Sequence, residues 1–308
     1  MKKVLVIVGP TAVGKTALSI HMAKKFDGEI ISGDSMQVYR KLDIGTAKVT
    51  KREMEDIPHY LIDCRDITDS YSAADFQREA RSCIEAINGR GKLPIVVGGT
   101  GLYIQSLLYD FQLGGKKENE SLKLREEYNC YAEQNGNEAL WQQLQEKDSL
   151  AAAAIHFNNR KKVIRALEVF DLTGYSIMRP KEQPQQLYDY FLVGLETERE
   201  LLYQRINQRV DEMLKQGLLE EAEYTYENLE MQAAQGIGYK EFFPYFQGKI
   251  SLEEAVEQVK QNSRRYAKRQ LTWFRNRMQA NWINLIQQPD SLAELDSTIE
   301  KWLKQERR

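Results

Sequence analysis

The chain has 308 residues, with 43 lysines and arginines against 45 aspartates and glutamates, so its net charge is −2. A hydrophobic content of 42% and a charged content of 29% are typical of globular proteins and exclude wholesale disorder. The length exceeds the ~250 residues at which single cores tend to split, which predicts two domains. The near-neutral net charge excludes binding of a polyanion by total charge alone.

Short apolar runs alternate with helical periodicity in the first part of the chain. Strands are predicted over 4–8, 29–32 and 94–97, because each is a short segment with adjacent β-branched residues that is followed by glycine. Helices are predicted over 15–25 and 73–89. This alternation predicts an α/β fold with a doubly wound parallel sheet.

The character of the chain changes near residue 114. Residues 116–172 are polar and helical in period, and Gly174 is suited to end a helix over about 160–172. Residues 179–186, with two prolines and three glutamines, are expected to form a linker.

The strand pattern returns at 190–194, and everything from Glu198 onward is predicted to be helical. We therefore expect an all-helical domain, 114–186, inserted into a core domain formed by 1–113 and 187–308, with a helical C-terminal region.

Residues 9–16, Gly-Pro-Thr-Ala-Val-Gly-Lys-Thr, match the phosphate-loop pattern GxxxxGK[ST] in full, between a predicted strand and a predicted helix. Backbone N–H groups of such a loop converge on a phosphate at the helix N-terminus. Lys15 supplies a positive charge, and the Thr16 hydroxyl is a candidate Mg²⁺ ligand. The pattern predicts a P-loop NTPase-like core that binds a diphosphate-bearing group.

The partners of nucleotide hydrolysis are incomplete in this sequence. A guanine-reading NKxD motif is absent, and the strand over 94–97 ends in Gly98-Gly99-Thr100 instead of the aspartate of a typical ATPase. The phosphate loop therefore does not by itself indicate ATP or GTP hydrolysis.

Asp34 follows the second predicted strand, at the sheet edge where open α/β proteins bind ligands. A carboxylate beside a phosphate loop can act as a general base or hold Mg²⁺ through water. An Asp-Ser pair at a strand end also forms ordinary turns and helix caps. Position alone leaves both interpretations open.

The charge is distributed unevenly along the chain. Residues 196–230 hold ten acidic and four basic residues, residues 258–280 hold seven basic residues and no acidic one, and residues 152–181 carry six basic and two acidic residues. Such runs are most often solvated helix faces, but basic–aromatic stretches are also typical of RNA contacts.

Several segments at these spacings resemble the tRNA dimethylallyltransferases, also called tRNA isopentenyltransferases. They are the phosphate loop 9–16, Ser-Gly-Asp-Ser-Met-Gln-Val-Tyr (32–39), Asp-Ile-Gly-Thr-Ala-Lys (43–48), Gly-Gly-Thr-Gly-Leu-Tyr (98–103), Val-Ile-Arg-Ala-Leu-Glu (163–168), Gly-Ile-Gly-Tyr-Lys-Glu (236–241) and Tyr-Ala-Lys-Arg-Gln-Leu-Thr-Trp-Phe-Arg (266–275), with His156, Arg205, Arg209 and Asp211 between them.

The resemblance implies transfer of a dimethylallyl group from dimethylallyl diphosphate to N6 of the adenine on the 3′ side of the anticodon in tRNA, with Mg²⁺ and release of diphosphate. It implies Asp34 as the base, with Lys15, Thr16, Thr100 and Arg209 as the other catalytic residues. The implied diphosphate contacts are Gly9, Pro10, Thr11, Ala12, Val13, Gly14, Lys15 and Thr16. The implied tRNA contacts are Asp34, Ser35, Met36, Gln37, Gly101, Arg125, Lys161, Lys162, Val163, Ile164, Arg165, Gly238, Tyr239 and Lys240.

The apolar run after Met1-Lys2-Lys3 spans only five residues, too short for a signal peptide or a membrane span, so a cytoplasmic protein without a membrane partner is expected. A monomer is favoured. Two other functions fit parts of the pattern: a P-loop kinase acting on a small acceptor, and a non-catalytic RNA-binding regulator with an ATP switch. The kinase leaves the basic stretch at 258–280 without a role.

Overall fold

The computed structural model describes residues 1–111, 113, 118–179 and 184–305. The chain divides into two compact units: the sheet unit, Met1–Asp110 with Gln186–Arg308, and the helical unit, Phe111–Gln185. The change of character at Gly114-Gly115 and half of the predicted linker, residues 180–183, lie outside the described residues.

A parallel sheet of six strands forms the centre of the sheet unit, in the order β3-β2-β4-β1-β5-β6. The strands are β1 (Lys3–Val8), β2 (Gly28–Ser32), β3 (His59–Tyr60), β4 (Leu93–Gly98), β5 (Asp189–Leu195) and β6 (Asn281–Ile283). Because β1 lies between β4 and β5, the phosphate loop that follows it opens near the middle of the sheet edge.

The helices are, in chain order, α1 (Lys15–Lys25), α2 (Lys51–Met54), α3 (Ala73–Gly89), α4 (Gly101–Leu108), α5 (Glu118–Lys147), α6 (Ser149–Ala154), α7 (Arg160–Thr173), α8 (Arg199–Lys215), α9 (Leu218–Tyr226), α10 (Phe243–Phe246), α11 (Leu252–Arg277) and α12 (Ser291–Lys304). Ser72 and Asp75 form a capping box that starts α3, and Ser251 and Glu254 form one that starts α11.

Side chains of β1 alternate between two hydrophobic cores, one on each face of the sheet. Val4, Val6 and Val8 pack in the core that includes α3, α4, α9 and α11, whereas Leu5 and Ile7 pack in the core with α1 and α12. Burial on both faces explains why β1 is continuously apolar. The predicted doubly wound α/β fold is confirmed.

The strands predicted over 4–8, 29–32, 94–97 and 190–194 and the helices over 15–25 and 73–89 are confirmed. The prediction that everything after Glu198 is helical is wrong, because β6 lies there and pairs with β5. β6 has three residues and β3 has two, which is too short for a period to show in the sequence.

The described part of the helical unit folds as α5, α6 and α7 around a core that includes Leu140, Leu144, Val163 and Leu167. The chain bends within α5 at Gly136, whose φ is 87°. Gly174 ends α7 in the left-handed conformation, at φ 71°, and its predicted capping role is confirmed.

Among the described residues, none of the helices is long and apolar enough to cross a membrane.

Candidate active site

The phosphate loop is held close to the neighbouring strand. Gly9 has a φ of 150°, and a Cβ at this position would lie 2.6 Å from the carbonyl oxygen of Leu195 in β5. Only glycine fits so close an approach. The loop then reaches Gly14, which precedes α1, so the first N–H groups of that helix face the loop interior.

The Lys15 ammonium lies inside this loop, 3.0 Å from the carbonyl oxygen of Gly9 and 2.6 Å from that of Pro10. Burial lowers the pKa of Lys15 to about 8; the charge of Asp34 opposes this shift, and that of Arg209 adds to it. A bound polyanion would raise this pKa again, so the lysine is suited to hold negative charge that arrives with a substrate.

Two arginines of α8 contact the phosphate loop. Arg205 donates through Nε to the carbonyl oxygen of Ala12 at 2.8 Å, and Arg209 donates through Nη1 to the Thr11 hydroxyl at 3.4 Å. Burial lowers the pKa of Arg209 from its ordinary value, but the guanidinium stays charged. The sequence singles out Arg209, and the structure adds Arg205 as a support of the loop.

The two oxygens of Asp34 have different surroundings. Oδ1 accepts hydrogen bonds from the N–H groups of Met36 at 2.8 Å and Gln37 at 3.4 Å, which form a turn after β2. Oδ2 makes no hydrogen bond within the described part of the chain, and the residue lines the cavity described below. The turn interpretation and the base interpretation therefore concern different oxygens of one carboxylate.

Ser35 and Gln37 are tied to other loops. The N–H of Ser35 donates to Thr100 Oγ1 at 3.3 Å. Gln37 Oε1 accepts from the Ser32 hydroxyl at 3.1 Å, and Nε2 donates to the carbonyl oxygens of Thr46 at 3.2 Å and Ala47 at 3.4 Å. These partners fix the orientation of the Gln37 amide.

A cavity of about 1160 Å³ in the sheet unit joins these groups. Its lining includes most of the residues that the sequence indicates for this unit: Thr11, Ala12, Val13, Gly14, Lys15, Thr16, Asp34, Ser35, Met36, Gln37, Arg209, Gly238, Tyr239 and Lys240. Of the remaining residues, Gly9 and Pro10 begin the phosphate loop. Thr100 accepts a hydrogen bond from Ser35, which lines the cavity, and Gly101 begins α4 and packs against Trp273.

Tyr266 and Gln270 of α11 also line the cavity, although the sequence indicates them only as members of the segment 266–275 and assigns neither a role in the site. Burial together with the charge of Asp34 raises the pKa of Tyr266 to about 12. Gln270 donates to the carbonyl oxygen of Gly99 at 3.1 Å. The feature of the sequence that points to these two residues is the aromatic and amide content of the basic stretch at 258–280. This feature predicts RNA contacts, but it does not predict that the residues line this cavity.

In the helical unit, the residues implied to contact tRNA fall into two groups. Lys161 and Lys162 are exposed at the start of α7, whereas Val163 and Ile164 are buried in the core of the unit and their side chains contact other helices. The side chains of these two residues therefore support the basic face of α7 from within.

Arg125 and Arg165 share one buried partner in the helical unit. Arg125 donates to both oxygens of Glu168 at 2.8 and 2.9 Å, and Arg165 also bonds Glu168. The Glu168 side chain is fully buried, so the pair of arginines is anchored while about half of each side chain stays exposed.

The basic stretch of α11 is partly neutralised by the acidic stretch of α8 and its preceding residues. Lys260 pairs with Asp211 at 2.7 Å, and Arg275 pairs with Glu196 at 2.5 Å. The exposed lysines and arginines of α11 that make no ion pair within the described part of the chain are Arg265, Lys268, Arg269 and Arg277.

The strand β1, in the middle of the parallel sheet, is followed by a phosphate-binding loop, and the carboxylate of Asp34 follows β2 at the same edge of the sheet. These two features define a P-loop α/β protein that binds a phosphorylated ligand. Within this class, the chain belongs to the IPP transferase family, whose profile matches residues 37–277.

The sequence is 70% identical to the tRNA dimethylallyltransferase of Enterococcus faecalis over 99% of each chain. A crystal structure of the tRNA isopentenylpyrophosphate transferase from Bacillus halodurans is similar with 45% identity and a TM-score of 0.75, over 99% of this chain and 97% of that one. Structures of a eukaryotic dimethylallyltransferase acting on tRNA match with 32% identity and a TM-score of 0.82, over 100% of this chain and 82% of that one.

Proposed function

We propose that the protein transfers a dimethylallyl group from dimethylallyl diphosphate to N6 of the adenine that follows the anticodon on its 3′ side in tRNA. The observation that carries this proposal is the shared cavity: a phosphate loop and a carboxylate oxygen without a protein hydrogen bond in the described part of the chain face the same space. Membership of the family and the names of its relatives support the same reaction.

In the proposed reaction the bond between the allylic carbon and its diphosphate oxygen breaks, and the electron pair leaves with the diphosphate. The chain stabilises that growing charge with the loop N–H groups, Lys15 and Arg209. Capture of the allyl cation by water would compete with transfer, so the reaction requires water to be kept away from the allylic carbon.

On the acceptor side, the lone pair of adenine N6 forms the new bond to carbon and the nitrogen must lose a proton. Asp34 Oδ2 is positioned to take that proton. Gln37 retains a lone pair of its amide oxygen for the adenine edge, and Ser35 offers its hydroxyl.

Mg²⁺ fits this site as a partner of the diphosphate. The Thr16 hydroxyl lines the cavity at the N-terminus of α1. Among the described residues, no group of three or more His, Cys, Asp and Glu side chains could hold a metal alone. Mg²⁺ commonly takes most ligands from phosphate oxygens and water, and when bound it would neutralise charge on the leaving group.

The target adenine must leave its stack to reach a half-buried aspartate, as in other base-modifying enzymes. We propose that exposed cations on α11 and on α7 hold the RNA backbone during this step: Arg265, Lys268, Arg269 and Arg277 on the first, and Lys161, Lys162 and Arg165 on the second. In this proposal the helical unit is a tRNA-contacting insertion.

One assay tests the function and its two alternatives. The protein is incubated with unmodified tRNA, Mg²⁺ and dimethylallyl diphosphate, and the tRNA is digested for mass spectrometry. A single prenyl group on adenosine supports the proposal. Consumption of ATP with a small acceptor and no prenyl transfer would favour the kinase, whereas ATP-sensitive RNA binding without a change in RNA mass would favour the regulator.

A further inference from the structure

Glu221 of α9 accepts four hydrogen bonds from two loops that line the cavity. Oε2 accepts from the N–H groups of Asp43 at 2.8 Å and Ile44 at 2.9 Å, and Oε1 accepts from the N–H of Gly45 at 2.8 Å and the hydroxyl of Tyr239 at 2.6 Å. Hydrogen bonds to an ionised acceptor are about twice as strong as neutral ones, so this carboxylate ties the two loops together.

The Tyr239 side of this connection is closely packed. A Cβ on Gly45 would lie 2.7 Å from ring atoms of Tyr239, so the two loops touch through backbone and ring. Tyr239 is fully buried, and burial together with the charge of Glu221 raises its pKa well above the usual value. Its hydroxyl therefore keeps its proton and remains a donor to Glu221.

The loop that Glu221 holds also contacts Gln37, the residue proposed to bind the adenine edge. Just beyond the anchored N–H groups, the carbonyl oxygens of Thr46 and Ala47 accept from Gln37 Nε2. The loop ends at Lys48, whose buried ammonium pairs with Asp43 and Asp63 at 2.6 Å each. The segment 43–48 is thus anchored at both ends, with its Gln37 contacts in between.

We infer that Glu221 is a positioning residue for the acceptor side of the reaction, acting through the 43–48 loop on the amide of Gln37. Its carboxylate sets where Thr46 and Ala47 place their carbonyl oxygens, and these set the angle at which Gln37 presents its amide to the adenine. The inference rests on the proposed function, since it assigns Gln37 to the adenine. The donor side of the cavity, at the phosphate loop, is held by α8 and does not depend on Glu221.

The first test is Glu221→Gln, with Glu223→Gln as the matched control, because Glu223 is exposed on the same helix. An amide cannot accept at both ends, so Glu221→Gln loses at least one loop N–H bond. We expect kcat/KM for tRNA to fall about tenfold or more, while the KM for dimethylallyl diphosphate changes by less than about twofold and the control behaves as the wild type. An equal loss on the donor side would overturn the inference.

A double-mutant cycle with Gln37→Ala decides whether the effect passes through Gln37. If it does, Glu221→Gln lowers kcat/KM for tRNA by less than about twofold in the Gln37→Ala background, because the positioned group is already gone. The same fractional loss in both backgrounds would show a merely structural role. If Glu221→Gln does not fold, Tyr239→Phe removes one of the four bonds and enters the same cycle. A wild-type protein inactive on tRNA would refute the proposed function itself, and the inference with it.

Discussion

Asp34 uses one oxygen for its own turn and presents the other to the cavity. Asp34→Asn therefore separates the two roles, because the amide oxygen can still accept from Met36 and Gln37 while the base is lost. We expect kcat to fall by about 10²- to 10⁴-fold, the usual contribution of a positioned general base. Filter binding or fluorescence should show tRNA affinity within about threefold of the wild type.

Asp34→Ala is the comparison, since it removes the turn acceptor as well. We expect it to lose tRNA affinity in addition to turnover. Near-normal turnover by Asp34→Asn would refute the role of Asp34 as the base, whatever its effect on the turn.

Lys15 gives the site a pH dependence whose direction follows from its pKa. The ligand-free protein holds this pKa at about 8, below the usual value of 10.5, so the ammonium loses its proton as the pH rises through about 8. Because kcat/KM reports the free enzyme, kcat/KM for dimethylallyl diphosphate should fall above about pH 8. Under saturating donor, the bound diphosphate raises the pKa of Lys15 and the fall in kcat should move to higher pH.

Lys15→Arg is the control for this pH profile, because a guanidinium stays charged throughout the range. Its activity should be lower, but its kcat/KM should lack the alkaline fall. A wild-type profile that is flat through about pH 9 would contradict the assignment of this group.

At the scale of elements, the longer strands and helices were predictable because each buries a continuous or periodic set of apolar side chains. The site was predictable where one motif supplies it, as in the phosphate loop. The parts of the site that depend on contacts between residues distant in sequence could not be predicted. Glu221 reaches the 43–48 loop across 176 to 178 positions of sequence, and nothing in its helical surroundings distinguishes it from Glu220 or Glu223.

The segment Gly98-Gly99-Thr100-Gly101 joins β4 to α4, and its glycines are required by close contacts. A Cβ on Gly98 would lie 2.3 Å from the carbonyl oxygen of Gly33, and one on Gly101 would lie 2.2 Å from the ring of Trp273. Gly101→Ala should therefore push α4 away from α11 and lower the free energy of unfolding by about 1–3 kcal/mol.

Gly89→Ala at the end of α3 is the control for that change, because a Cβ at this position would have no atom within 4 Å and the φ of Gly89 is ordinary. Its free energy of unfolding should change by less than about 1 kcal/mol. Chemical denaturation of both variants measures the difference, and equal stability of Gly101→Ala and the wild type would contradict the packing argument.

For the whole molecule, the net charge is only −2 because acidic and basic residues offset each other, largely within the sheet unit. Acidic residues at 196 and 211 pair with basic residues of α11, which leaves four exposed cations there without an ion pair in the described part of the chain. The affinity for tRNA should therefore depend on those four and on the exposed cations of α7, and not on the total charge.

This dependence can be measured as a salt slope. If these cations contact RNA phosphates, the logarithm of tRNA affinity falls linearly with the logarithm of salt concentration. Lys268→Gln removes an exposed, unpaired cation and should lower the slope by about 1, whereas Lys260→Gln removes the same charge from a largely buried ammonium paired with Asp211 and should leave the slope unchanged. An equal lowering of the slope by both variants would show that tRNA responds to total charge, and an unchanged slope for Lys268→Gln would remove this residue from the proposed RNA contacts.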